Sequence, residues 1–120
     1  MGRTYKAEEL KKRSKQFAIR VIRLIQALPK TDVARVIGKQ LLRSATSVAA
    51  NYRAVCRARS KAEFIAKIGV VVEEIDESVF WLELLVETSI VAQSRMGDLQ
   101  KEASELLAIF AASQHTAKGR

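Results

Sequence analysis

One histidine, His115, and one cysteine, Cys56, are all that this 120-residue sequence offers to catalysis requiring a group that titrates near neutral pH. His115 falls in a closing segment that reads as a frayed tail. Cys56 lies on a row of small residues with no base near it in sequence, which reads as a buried thiol rather than a thiolate nucleophile. Glu73, Glu74, Asp76 and Glu77 supply carboxylates in the quantity a di-iron site would need. Such a site also takes two Glu-x-x-His units from facing helices, and the histidines are missing. Gly38, Gly69 and Gly97 stand singly, so no glycine-rich loop is present to cradle a phosphate. We therefore expect a non-enzyme with no catalytic residue, no metal and no cofactor.

The remaining polar candidates border apolar rows. Ser44, Ser47 and Asn51 interrupt or flank the row Ile37, Leu41, Val48 and Val55, and polar groups placed there must find hydrogen-bond partners. Pairing with Glu74, Glu77 or Ser78, across the bundle or across a subunit boundary, would fix register as a buried asparagine does in a coiled coil. The alternative is a polar ligand pocket around Ser47, Asn51 and Glu77, which an enzyme would require. Trp81, beside Phe80, stands off its helix's main apolar row and reads as a subunit anchor. A base-stacking platform would need several spaced aromatics in a basic groove.

Charge is divided unevenly along the chain. Residues 1–61 hold 16 Lys and Arg against 3 Asp and Glu, whereas residues 62–120 hold 5 against 10, for a net +8. A polyanion would suit the basic half, and so would the acidic half of a neighbouring copy. Lys12, Arg13, Arg20, Arg23, Arg35, Lys39, Arg43, Arg53 and Arg57 are the candidate nucleic-acid contacts. Binding through them would be salt-sensitive and largely blind to sequence.

Those side chains must be carried by helices. Nearly half the residues are apolar, few are aromatic and one is proline, a composition that favours helix over short strands. The first helix spans about 4–28, with Leu10, Ser14, Phe17, Val21, Leu24 and Leu28 at steps of four and three, and Pro29 stops it. The second, about 32–59, shows two apolar rows. Gly38, Leu42, Ala45, Ala49, Tyr52 and Cys56 form the second row, so this helix needs two packing partners. Ser60-Lys61-Ala62-Glu63 is a capping box that opens the third helix, about 61–88. That helix adds to its core stripe a row of Lys67, Val70, Glu74, Glu77, Trp81 and Leu84. A loop near Ile90 to Ser94 leads to a fourth helix, about 96–113, and a tail, 114–120. Residues 1–120 thus form one all-α domain, an antiparallel up-down-up-down four-helix bundle. The lone cysteine, the absence of an apolar signal core and the lack of an uncharged span place it in the cytoplasm, away from membranes.

The stretches Gln40-Leu41-Leu42-Arg43-Ser44-Ala45-Thr46-Ser47-Val48-Ala49-Ala50-Asn51-Tyr52-Arg53, Arg57-Ala58-Arg59-Ser60, Phe64-Ile65-Ala66-Lys67-Ile68 and Glu74-Ile75-Asp76-Glu77-Ser78-Val79-Phe80-Trp81-Leu82 resemble a known bacterial family. It is the four-helix bundle family that includes proteins encoded in the intervening sequences of 23S ribosomal RNA genes. The resemblance spans about Phe17 to Leu85. It implies a cytoplasmic helical subunit that assembles as a ring-like homopentamer, with no established enzymatic activity. Distant relatives resemble accessory proteins of diversity-generating retroelements, whose basic pentamers bind nucleic acid and a reverse transcriptase. The sequence departs from the family at Ala54-Val55, where members often carry Glu followed by Ala, and this makes the second helix more basic.

The expected function is a non-enzymatic homo-oligomer, a pentamer, that offers a basic surface to RNA or DNA. Ser44, Ser47, Asn51, Val70, Glu74, Glu77 and Trp81 are the expected subunit contacts. The alternative is a structural or protein-binding assembly whose cations are satisfied by acids of adjacent copies.

Overall fold

A computed structural model describes residues 2–119, so Met1 and Arg120, the two ends of the expected domain, lie outside the described residues. Four helices follow one another: α1 (Gly2–Gln26), α2 (Asp32–Val55), α3 (Lys61–Glu87) and α4 (Gln93–Lys118). Each packs on the next, and α4 returns more loosely to α1, giving an all-α up-and-down bundle about 46 Å long.

Local chemistry sets the ends. Pro29 cannot donate a backbone hydrogen bond and forces Leu28 away from helical geometry. The Ala27 and Leu28 N–H groups therefore close onto Leu24 and Ile25, three residues back, and α1 ends two residues before the expected Leu28. Thr31 caps α2, its side chain accepting from the Ala34 N–H at 3.2 Å. The same tightening, Arg57 onto Ala54 and Ala58 onto Val55, stops α2 at Val55 rather than Arg59. Ser60 then caps α3 by accepting from the Glu63 N–H at 3.0 Å. The returning carboxylate of Glu63 accepts from the Arg59 N–H at 2.9 Å, one residue earlier than a capping box places it.

The largest departure lies between α3 and α4. The Ser89 N–H donates to the Val86 carbonyl and the Ile90 N–H to Leu85, the paired bonds of a Schellman ending. Ser89 takes the left-handed position, at φ 61°, that glycine normally fills. With no glycine to mark it, the turn falls at Thr88 to Ala92, and α4 begins at Gln93 instead of residue 96. At its other end α4 continues past residue 113 because Ala111, Ala112 and Ala117 favour helix and no breaker intervenes before Gly119. His115 is therefore an exposed helical residue, not part of a tail.

Phe17, Leu41, Ile68, Ile75, Leu82, Leu106 and Phe110 are wholly buried, with the Tyr52 and Phe110 rings 5.0 Å apart. The first apolar row of α2 finds cover inside this one chain, and so do Gly38, Ala45 and Tyr52 of the second, whereas Leu42 and Cys56 stay exposed. Ile37, Leu41 and Val48 enter the core, while Gly38 lies against Ile25 and Leu28 of α1. A Cβ on Gly38 would stand 3.2 Å from Leu28, so glycine permits that close approach. The second packing partner of α2 is thus α1, and the apolar surplus that remains is shared between α2, at Val33, Val36 and Leu42, and α3, at Val70 and Phe80.

Replacing Ser89 by Gly removes the steric cost of the left-handed backbone but adds freedom to the unfolded chain. The balance should raise stability by about 0.5–1 kcal/mol in urea denaturation. A lower midpoint for the variant would contradict the Schellman assignment.

Candidate functional site

The nine candidate cations divide by what they already touch. Arg13 on α1 reaches α4, where Nε and Nη2 donate to the two Glu102 oxygens at 3.0 and 2.7 Å, and Nη2 also to Glu105 at 3.1 Å. Hydrogen bonding to Glu102 raises the proton affinity of its guanidinium further. Arg43 on α2 does the same to α3, donating to both Glu74 oxygens at 3.3 Å and to Glu77. The acidic half thus answers these two arginines within the same chain, and neither is a free contact for a polyanion. Arg35 pairs with Asp32 one turn earlier at 2.5 Å. Lys12, Arg20, Arg23, Lys39, Arg53 and Arg57 make no ion pair among the described residues. All six except the half-buried Arg20 are exposed. They lie on α1 and α2, with Arg57 just past the end of α2.

The expected subunit contacts also separate. Ser44 is wholly buried inside the chain and accepts from the Ser78 hydroxyl at 2.9 Å, so it locks α2 to α3 and cannot touch a second copy. Glu74 and Glu77 are held by Arg43, and Asn51 turns back to donate to the Ser47 carbonyl at 2.8 Å. Ser47 and Asn51 are half-buried. Trp81 is half-buried, its indole N–H directed at Glu77 at 3.4 Å. Val70 is 40% exposed.

Three apolar residues more exposed than Val70 carried no expectation as contacts. Val33 and Val36, at the start of α2, are 60% and 59% exposed, and Phe80 is 48% exposed. Phe80 packs edge-on to Trp81 at 4.9 Å yet points away from the core. The signal was present in its spacing: Phe80 sits on the side of α3 opposite Ile68, Ile75 and Leu82.

Cys56 lies at the surface beyond the end of α2, not buried as expected. Burial of part of the thiol still pushes its pKa up, outweighing the lowering by the Tyr52 hydroxyl and Lys11. Tyr52 is raised too, first by desolvation and then by Cys56. A protonated thiol is a poor nucleophile. Among the described residues no three His, Cys, Asp or Glu side chains gather as a metal site would require. No described helix is long and apolar enough to cross a membrane.

A family model described as 23S rRNA-intervening sequence protein matches residues 6–112. Among solved structures, the chain is similar to a protein of unknown function from the S23 ribosomal protein family of Bacteroides thetaiotaomicron, determined at 1.70 Å resolution. The two are 31% identical over 92% of this chain and 98% of that one, with a TM-score of 0.84. No curated protein matches.

Alkylation of Cys56 by iodoacetamide, followed against pH, should show a midpoint above the ordinary thiol value of about 8.5 in the native protein. Urea-unfolded chain should return to that value. Identical midpoints in the two states would contradict the desolvated setting of the thiol.

Proposed function

This chain belongs to the 23S rRNA-intervening sequence protein family, and from that premise we propose a non-enzymatic, cytoplasmic homo-oligomer, a pentameric ring, that presents a basic face to RNA or DNA. The observation that carries the reading is the set Lys12, Arg23, Arg53 and Arg57, exposed and without an ion pair among the described residues. Arg13 and Arg43 have acids to answer them, and these four do not. Exposed cations without partners suit the charge of a phosphate backbone. Self-association draws its support from Val33, Val36, Val70 and Phe80, apolar side chains left open to water. By distant analogy, a reverse transcriptase is a further partner of such an assembly.

A second reading keeps the assembly and drops the nucleic acid, with the cations meeting carboxylates of adjacent copies. The exposed Glu73, Asp76, Glu83 and Glu87 on α3 favour it.

Titrating generic single-stranded RNA against the protein at rising salt separates the two. The first reading predicts measurable affinity at low ionic strength, with log K falling by about 0.7 per phosphate contact for each tenfold rise in salt. Replacing Lys12 and Arg53 together by Ala should flatten that slope by about two contacts, roughly 1.4. Absence of binding at low salt would overturn the first reading and leave the second.

A further inference from the structure

Phe80 occupies an unusual setting for an exposed aromatic. The residues at i−7, i−4, i+3 and i+7, its neighbours along one side of α3, are Glu73, Asp76, Glu83 and Glu87. All four are exposed, and none forms an ion pair among the described residues. The result is an apolar knob ringed by unanswered negative charge.

The complementary shape lies elsewhere on the same molecule. Between the end of α1 and the start of α2 runs an open groove of about 510 Å³, roomy enough for an aromatic ring. Ile25, Leu28, Ala34 and Leu42 give it apolar walls, and Lys30 and Lys39 stand at its edge. Both lysines are exposed and make no ion pair among the described residues. An aromatic anchor entering an apolar recess, with charge confined to a wet rim, is the usual anatomy of a strong protein contact.

We infer that copies of this chain join head to tail, with Phe80 of one copy seated in the α1–α2 groove of the next and its surrounding carboxylates facing Lys30 and Lys39. The inference rests on the self-assembly reading above and names the two surfaces that assembly uses. The knob is on α3 and the groove is between α1 and α2, so a single copy engages two neighbours at once. Such a heterologous contact propagates, and it closes into a ring when the rotation per step divides a full turn. An isologous dimer would instead bury the same patch on both copies. The charged rim makes the contact weaker as salt rises, because exposed pairs are screened.

Sedimentation velocity on four samples tests the inference: wild type, Phe80→Asp, Leu42→Glu, and an equimolar mixture of the two variants. Both substitutions fall on solvent-facing side chains, and circular dichroism checks that helicity is kept. If Leu42→Glu unfolds, the double variant Lys30→Glu with Lys39→Glu replaces it, both positions lying on the surface. Wild type should assemble, each variant alone should lose association by at least tenfold, and the mixture should form a one-to-one heterodimer. The heterodimer arises because one variant keeps an intact groove and the other an intact Phe80. A variant that retains the wild-type mass, or a mixture that stays monomeric, overturns the knob-and-groove contact while leaving self-assembly standing. A monomeric wild type overturns the assembly reading itself, and this inference with it.

Discussion

The α2–α3 seam turns on two hydroxyls. Ser44 and Ser78 are wholly buried, and each has one proton to give. Ser44 donates to the Leu41 carbonyl, which leaves its oxygen to accept from Ser78 at 2.9 Å. A slide of one residue between the helices would part the two hydroxyls and leave each to the carbonyl of its own helix, Leu41 for Ser44 and Glu74 for Ser78, losing their mutual bond at a cost of about 0.5–1.5 kcal/mol. On the outer edge of the same seam, Arg43 grips Glu74 and Glu77. Polar contacts on two sides therefore hold α2 and α3 in one register, and that register determines which residues of α3 must face outward.

Phe80 is among those turned out. With Ile68, Ile75 and Leu82 committed to the core, the opposite side of α3 is left open to solvent among the described residues, and Phe80 occupies it among carboxylates. Charge is handled by the same logic. The chain places its cations early and its acids late, yet folding brings Arg13 onto Glu102 and Arg43 onto Glu74, so part of the imbalance cancels internally. What remains is a bundle with basic outer faces on α1 and α2 and an acidic outer face on α3. A molecule polarised in that way is suited to meeting either a polyanion or a copy of itself.

Much of this was legible from residue spacing. The seam of α1, the stop at Pro29 and the cap at Ser60 follow from local chemistry that operates in any context. The α3–α4 turn was not, because a Schellman ending with serine in the left-handed position carries none of the glycine that normally announces it. The polar residues near the end of α4 read as fraying in one dimension, whereas alanine propensity carries the helix on. Ser44 shows where periodicity stops informing: its place on an apolar row required a partner, but an intrachain and an intersubunit partner look alike in one dimension. The second row of α2 has the same ambiguity, which α1 resolves at Gly38 but not at the exposed Leu42. The exposure of Phe80 is legible in its spacing, whereas the groove proposed to receive it is built from residues some forty to fifty-five positions earlier and takes shape only in the fold.

In the proposed assembly, further copies cover the exposed apolar side chains of this bundle. Native mass spectrometry of the unmodified protein, sprayed from a low-salt buffer, addresses that directly. The account predicts a dominant species at an integral multiple, five, of the 13.4 kDa chain mass. A spectrum holding the 13.4 kDa species alone at every protein concentration would contradict it.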